Sequence, residues 1–127
     1  MRVRNATKNT WLAQAAEVAD TSQKRRRGLL GRQQLLPGQG LWIVPCEAIH
    51  TFGMNFHIDA IFLSRDRRVV KLYRELPPGR LAGSLTCYSV LELPAGTIAA
   101  TQTEPGDQLE FLPDGQPAGN LPQPSSV

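Results

Sequence analysis

The chain has no long apolar run, no cysteine framework and no strong charge of either sign. Each gap removes a class of protein. Nowhere do about 18 apolar residues follow one another, as a membrane-crossing helix needs, so no membrane contact is expected. The first ten residues, MRVRNATKNT, hold no apolar core of the secretory kind. Cys46 and Cys87 are the only two cysteines in 127 residues, too few to staple a fold. Reduced thiols in a cytoplasmic setting are the expectation. Fourteen Lys and Arg against eleven Asp and Glu give a net charge of +3, a mild excess that does not call for nucleic acid. Trp11, Trp42 and Tyr73 are not interleaved with the basic residues as a base-stacking surface requires. No segment repeats another.

The length suits one domain, which at this size buries roughly two thirds of its unfolded surface and needs no staple. A monomer is expected. Trp11–Ala19 alternates small and apolar residues and reads as one strand. Asp20-Thr21-Ser22 offers side-chain oxygens to free backbone N–H groups, so a two-turn helix follows, ending at Gly28 or Gly31. Its basic run, Lys24 to Arg27, covers the whole helix circumference. One arginine must therefore face the body; Arg27 is the choice, with Glu17 as its partner. Further strands are expected over Leu41–Val44, Ile58–Leu63, Arg68–Leu76, Tyr88–Leu93 and Asp107–Leu112, with a short helical segment at Thr97–Thr101. Cys46–Phe56 reads as irregular with a helical turn near Ile49–Phe52, and Pro77–Ser84 as a loop. The fold class is mainly β with one short helix. It is a single antiparallel or mixed β-sandwich, or a partly closed barrel, over residues 1–112, with the helix across one opening. Residues 113–127, rich in proline and glycine, read as a flexible tail.

Chemistry concentrates in residues 44–63, VPCEAIHTFGMNFHIDAIFL. Cys46, His50, His57 and Cys87 are zinc-ligand types, but Cys87 has no Cys-x-x-Cys partner, so no metal and no cofactor are assigned. Cys46 with His50 as base and Asp59 as orienter is a thiol-enzyme set without a glycine elbow beside the nucleophile. No catalytic residue is assigned. The favoured reading starts from Asp59, a carboxylate inside the apolar strand Ile58–Leu63, which is costly unless paired. Arg27 or Arg32 is the expected partner, with Thr51 or His50 adding hydrogen bonds. Such a network can floor a polar cleft made by Glu17, Arg27, Arg32, Cys46, His50, Thr51, Met54 and Asp59. The expected function is a non-enzymatic domain binding a small molecule or a protein partner there. The competing reading is a thiol- or His-dependent hydrolase using Cys46, His50 and Asp59.

Four stretches together resemble a known family: EVADT…KRRRGLLGR, PGQGLWIVP, IHTFGMNFHIDAIFLSRDRRVV and VLELPAGT…GDQLEF. Over about residues 10–112 the chain is similar to DUF192, small and mostly bacterial and archaeal proteins of uncharacterised function. The resemblance implies a compact mainly-β domain. It also implies that the Arg-Gly-Leu-Leu-Gly-Arg helix end lies close to the Met54–Asp59 segment. Members commonly carry Pro where this chain has His57, which weakens a metal role for that histidine. They carry Gly where it has Arg67, which makes the Ser64–Arg67 hairpin turn less favourable here.

Overall fold

The computed structural model describes residues 1–115. The strands are β1 (Arg2–Asn5), β2 (Thr10–Ala13), β3 (Ala15–Ala19), β4 (Gln39–Ile43), β5 (Ala48–His50), β6 (Ile58–Leu63), β7 (Val69–Leu76), β8 (Leu81–Gly83), β9 (Ser89–Pro94) and β10 (Leu109–Leu112). The helices are α1 (Ser22–Arg27) and α2 (Thr97–Thr101).

A strand apolar on both faces has to lie inside a sheet with both faces covered. β6 does so: it pairs antiparallel with β7 and β9 in a five-stranded sheet of order β3-β4-β9-β6-β7, in which only β3 and β4 run parallel. Its residues feed two cores alternately. Ile58, Ala60 and Phe62 join Leu41, Ile43 and Val90 beneath Leu29, Leu35, Ile49 and Met54. Ile61 and Leu63 face the other way, toward Val3, Leu12, Ile98, Leu109 and Phe111. That second core is closed by the sheet β10-β1-β2 and by α2. The first is closed by the chain after α1 and by the two-stranded sheet β5-β8. The architecture is therefore mainly β, with open mixed and antiparallel sheets stacked in layers.

Several expectations are corrected. Trp11–Ala19 is not one strand. It breaks at Gln14, and β2 and β3 belong to different sheets, because the chain steps from one layer to the next there. The N–H groups of Gln14 and Ala15 both reach the Gly38 carbonyl, at 2.8 and 2.9 Å. The segment Ile49–Phe52 is not helical; β5 pairs with β8, which lies inside the expected Pro77–Ser84 loop. α1 is capped as read: Thr21 Oγ1 accepts from the Lys24 N–H at 3.2 Å, and Gly28 ends it at φ 51°. Yet α1 buries none of its residues, and Leu29 and Leu35 after it do the covering. Arg27 stays exposed. Arg25 is the half-buried one, donating to the Asp20 carbonyl at 2.9 Å and to Ser22 Oγ at 3.3 Å, so a backbone carbonyl rather than a carboxylate answers it. A second helix, α2, forms at Thr97–Thr101. Of the stretch read as a tail, residues 116–127 lie outside the described residues, and Asp114 pairs with the Met1 ammonium at 2.5 Å.

Candidate functional site

Three acidic side chains are buried among the described residues: Asp59, Asp107 and Glu92. Two are fully answered. Asp59 accepts from three backbone N–H groups, Glu75 at 2.8 Å, Gly96 at 3.2 Å and Ile98 at 2.7 Å. It thereby ties β6 to the start of α2 and to the bend at Glu75, a non-glycine residue with φ 49°. The expected arginine partner is not there. Neither Arg27 nor Arg32 bonds to Asp59, and Thr51 and His50 add nothing to it. Backbone donors satisfy a carboxylate as well as a guanidinium does. Asp107 is held by Asn5 Nδ2 at 2.9 Å, by Lys8 Nζ at 2.9 and 3.0 Å and by the Glu104 N–H at 3.0 Å. Burial alone would raise its pKa, but the hydrogen bonds from Asn5 and Lys8 outweigh that and hold the carboxyl below its usual range.

Glu92 differs. It is 4% exposed, and no described residue donates a hydrogen bond to its carboxylate. Register places it. Glu17 pairs with Leu41, Leu41 with Glu92, Glu92 with Ala60 and Ala60 with Tyr73, so all five point from one face of the sheet. This is the face that carries α1 and β5. Burial pushes the Glu92 carboxyl up to about 7, with the Arg32 guanidinium pulling the other way. Arg32 is itself bonded to Glu17, at the far end of that row. The pairing expected between Glu17 and Arg27 is thus made by Arg32.

Above Glu92 opens a cleft of about 670 Å³, within the usual range for small-molecule sites. One wall is α1 with Arg25, Arg26 and Arg27; the other is Cys46 to His50; Ile43, Met54 and Glu92 lie at the bottom. Of the residues expected in a cleft, Arg27, Cys46, His50 and Met54 line it. The other four do not. Glu17 and Arg32 form their ion pair beside it, and Asp59 faces the opposite core. Thr51 is turned to the 77–80 loop, donating to the Pro77 carbonyl at 2.6 Å and accepting from the Arg80 N–H at 2.8 Å. Leu29 and Met54 share one core cluster, so the helix end and the Met54 segment meet as the resemblance implied.

The thiols are not activated. Burial raises the pKa of both, and the Cys46 Sγ–H donates to the Ala48 carbonyl at 3.1 Å. The Cys87 Sγ–H reaches the Cys46 carbonyl at 3.3 Å, and both cysteines are free. His50 is exposed and stacks on Phe52, ring centres 5.5 Å apart. The Cys46–His50–Asp59 set does not assemble, because Asp59 points into the other core.

Sequence reading missed Glu92, taking Tyr88–Leu93 as one more strand. A signal was present: a lone carboxylate in an apolar strand, the same rule that singled out Asp59.

The DUF192 family model, described as an uncharacterized ACR, matches residues 3–111. A UPF0127 protein of Thermococcus sibiricus is 33% identical over 115 residues, covering 84% of this chain and 72% of that protein. A UPF0127 protein of Pyrococcus abyssi is 31% identical over 114 residues, covering 85% and 95%. The crystal structure of a Novosphingobium aromaticivorans protein of unknown function shares the fold, with a TM-score of 0.76 at 23% identity, covering 87% of this chain and 84% of that one. A family match spanning nearly all the described residues leaves no doubt of kinship: the chain belongs to the DUF192 family.

Proposed function

We propose that this protein is a non-catalytic binding domain whose cleft beside α1 takes a small organic molecule. One observation carries the reading: a buried carboxylate without a protein partner at the bottom of a cleft of about 670 Å³. Burial makes this carboxylate costly to ionise, and a strongly perturbed titratable group in a cleft marks a candidate binding site. A thiol mechanism is disfavoured by the raised pKa of Cys46 and by the orientation of Asp59 away from the cleft. A nucleic-acid surface is disfavoured because Glu47 and Glu92 stand in the same cleft as the α1 arginines. The domain acts as a monomer in the reducing cytoplasm, in keeping with two free thiols.

The test is an amide chemical-shift map of the labelled protein titrated with mixtures of small polar organic molecules. Shifts should gather at Gly28, Leu29, Ala48, Ile49 and Glu92 and vanish in Ala48→Trp, which plugs the cleft from an exposed wall position. Shifts scattered over the surface, or unchanged in Ala48→Trp, would refute the reading.

A further inference from the structure

The cleft carries both signs of charge. Glu92 is buried at the bottom, on a sheet strand; Glu47 is exposed on the Cys46–His50 wall, and the positive charges are on the helix wall opposite. They do not cancel one another inside the protein. The arginine whose charge reaches Glu92 is Arg32, which is bonded to Glu17 outside the cleft. On α1, Arg25 spends its guanidinium on Asp20 and Ser22, while Arg26 and Arg27 are exposed and donate to no described residue.

We propose that the cleft selects a small molecule bearing an organic ammonium group at one end and an anionic group at the other. The ammonium seats against Glu92 and the anion against Arg26 and Arg27. The proposal rests on the reading of the cleft as a ligand site. A buried carboxylate gains most from a charged donor, since a charge-assisted hydrogen bond is roughly twice as strong as a neutral one. A metal ion is a poorer match, because among the described residues no three His, Cys, Asp or Glu side chains come together to hold one. The positive charge therefore arrives on an organic group. The anionic end follows from the two guanidiniums left open on the wall, which are built for carboxylate or phosphate. The volume leaves room for a spacer between the two ends.

The experiment uses β-alanine, 4-aminobutyrate and 6-aminohexanoate as probes, with hexanoate and hexylamine as single-ended controls. Binding is read by amide shifts and by calorimetry on the full chain, on Glu92→Gln and on Arg26→Gln/Arg27→Gln. One ω-amino acid should bind about tenfold tighter than either control, a difference of about 1.4 kcal/mol. Glu92→Gln should reduce it to the level of hexanoate, and the double arginine variant to the level of hexylamine. The arginine positions are exposed, so that variant keeps the test alive if Glu92→Gln perturbs the fold. Controls that move the cleft amides as strongly as the ω-amino acids would overturn the ligand class and leave the binding site standing. A cleft that responds to none of the probes, nor to the mixtures above, would overturn both.

Discussion

Asp59 and Glu92 sit one step apart on adjacent central strands. Asp59 pairs in register with Leu93, and Glu92 with Ala60, the residue after Asp59. Both are buried carboxylates on strands of the same sheet, and the pleat sends them to opposite faces. On one face, loop backbone closes over Asp59 and three N–H groups converge on it. On the other, no backbone arrives, and a cleft remains over Glu92. The first carboxylate is a structural pin. The second has no hydrogen-bond donor among the described residues, and the contrast is what supports the proposed binding role of the Glu92 face.

The sharpest way to break this contrast is Asp59→Ala. It leaves three N–H groups without their acceptor, one of them fully buried, and should destabilise the protein by about 4 kcal/mol. A denaturant melt within about 1 kcal/mol of wild type would mean the pin holds nothing, and the distinction between the two faces would fall.

Glu92 should behave in the opposite sense. Its carboxyl titrates near 4.5 when unfolded and about 7 when folded, so the native state holds the proton longer. Its contribution to stability is full below pH 4.5 and is lost as pH rises through 7. The whole span is worth about 3 kcal/mol, at 1.36 kcal/mol per unit. Glu92→Gln removes that dependence. The variant should be more stable than wild type at pH 8, by up to about 3 kcal/mol, and within about 1 kcal/mol of it at pH 5. Melts at the two pH values check this directly. Parallel curves for the two proteins would show that Glu92 has an undisclosed partner and is no different in kind from Asp59.

A smaller effect separates Glu92 from its cleft neighbour Cys46. Burial keeps that thiol protonated above its ordinary range. Iodoacetamide at pH 7.5 should therefore alkylate Cys46 several-fold more slowly than a free thiol, because only the thiolate reacts. Labelling faster than the free thiol would shift the chemistry of the cleft from the carboxylate to the sulfur.

Much of the scaffold was legible. Ile58–Leu63 reads as a central strand because both its faces are apolar, and α1 reads from Thr21 at its start and Gly28 at its end. The β5–β8 pair was not legible. Its residues, such as Ile49 and Ala82, come from distant segments, one hidden after Pro77-Pro78-Gly79. The burial of Asp59 was legible but its partners were not, since a backbone N–H has no residue type to betray it. The arginine choices failed for a related reason. Arg25 satisfied itself on a carbonyl, and only the β3–β4 register shows that Glu17 lies where Arg32 can reach it. Glu92 could have been singled out as a lone carboxylate, but its meaning depends on strand order, because nothing local says which layer leaves a gap.

The smallest expected change calibrates the Asp59 face away from its carboxylate. Arg67 turns the hairpin between β6 and β7 with φ 65°, a backbone shape that suits glycine. The side chain offers something in return. Its guanidinium lies 5.0 Å from the Trp42 ring centre and 5.1 Å from that of Phe111, roofing a pair of rings that are themselves 4.2 Å apart. Left-handed strain of about 1–2 kcal/mol is set against cation–π contacts of about 0.5–1 kcal/mol each at an exposed site. Arg67→Gly should therefore shift stability by less than about 1 kcal/mol in either direction. Its salt dependence should also be weak, since the attraction involves a ring quadrupole rather than a second ion. A loss as large as that of Asp59→Ala would mean that this face is held by its ring cluster more than by its buried carboxylate, and the pin would have to be placed at Arg67 instead.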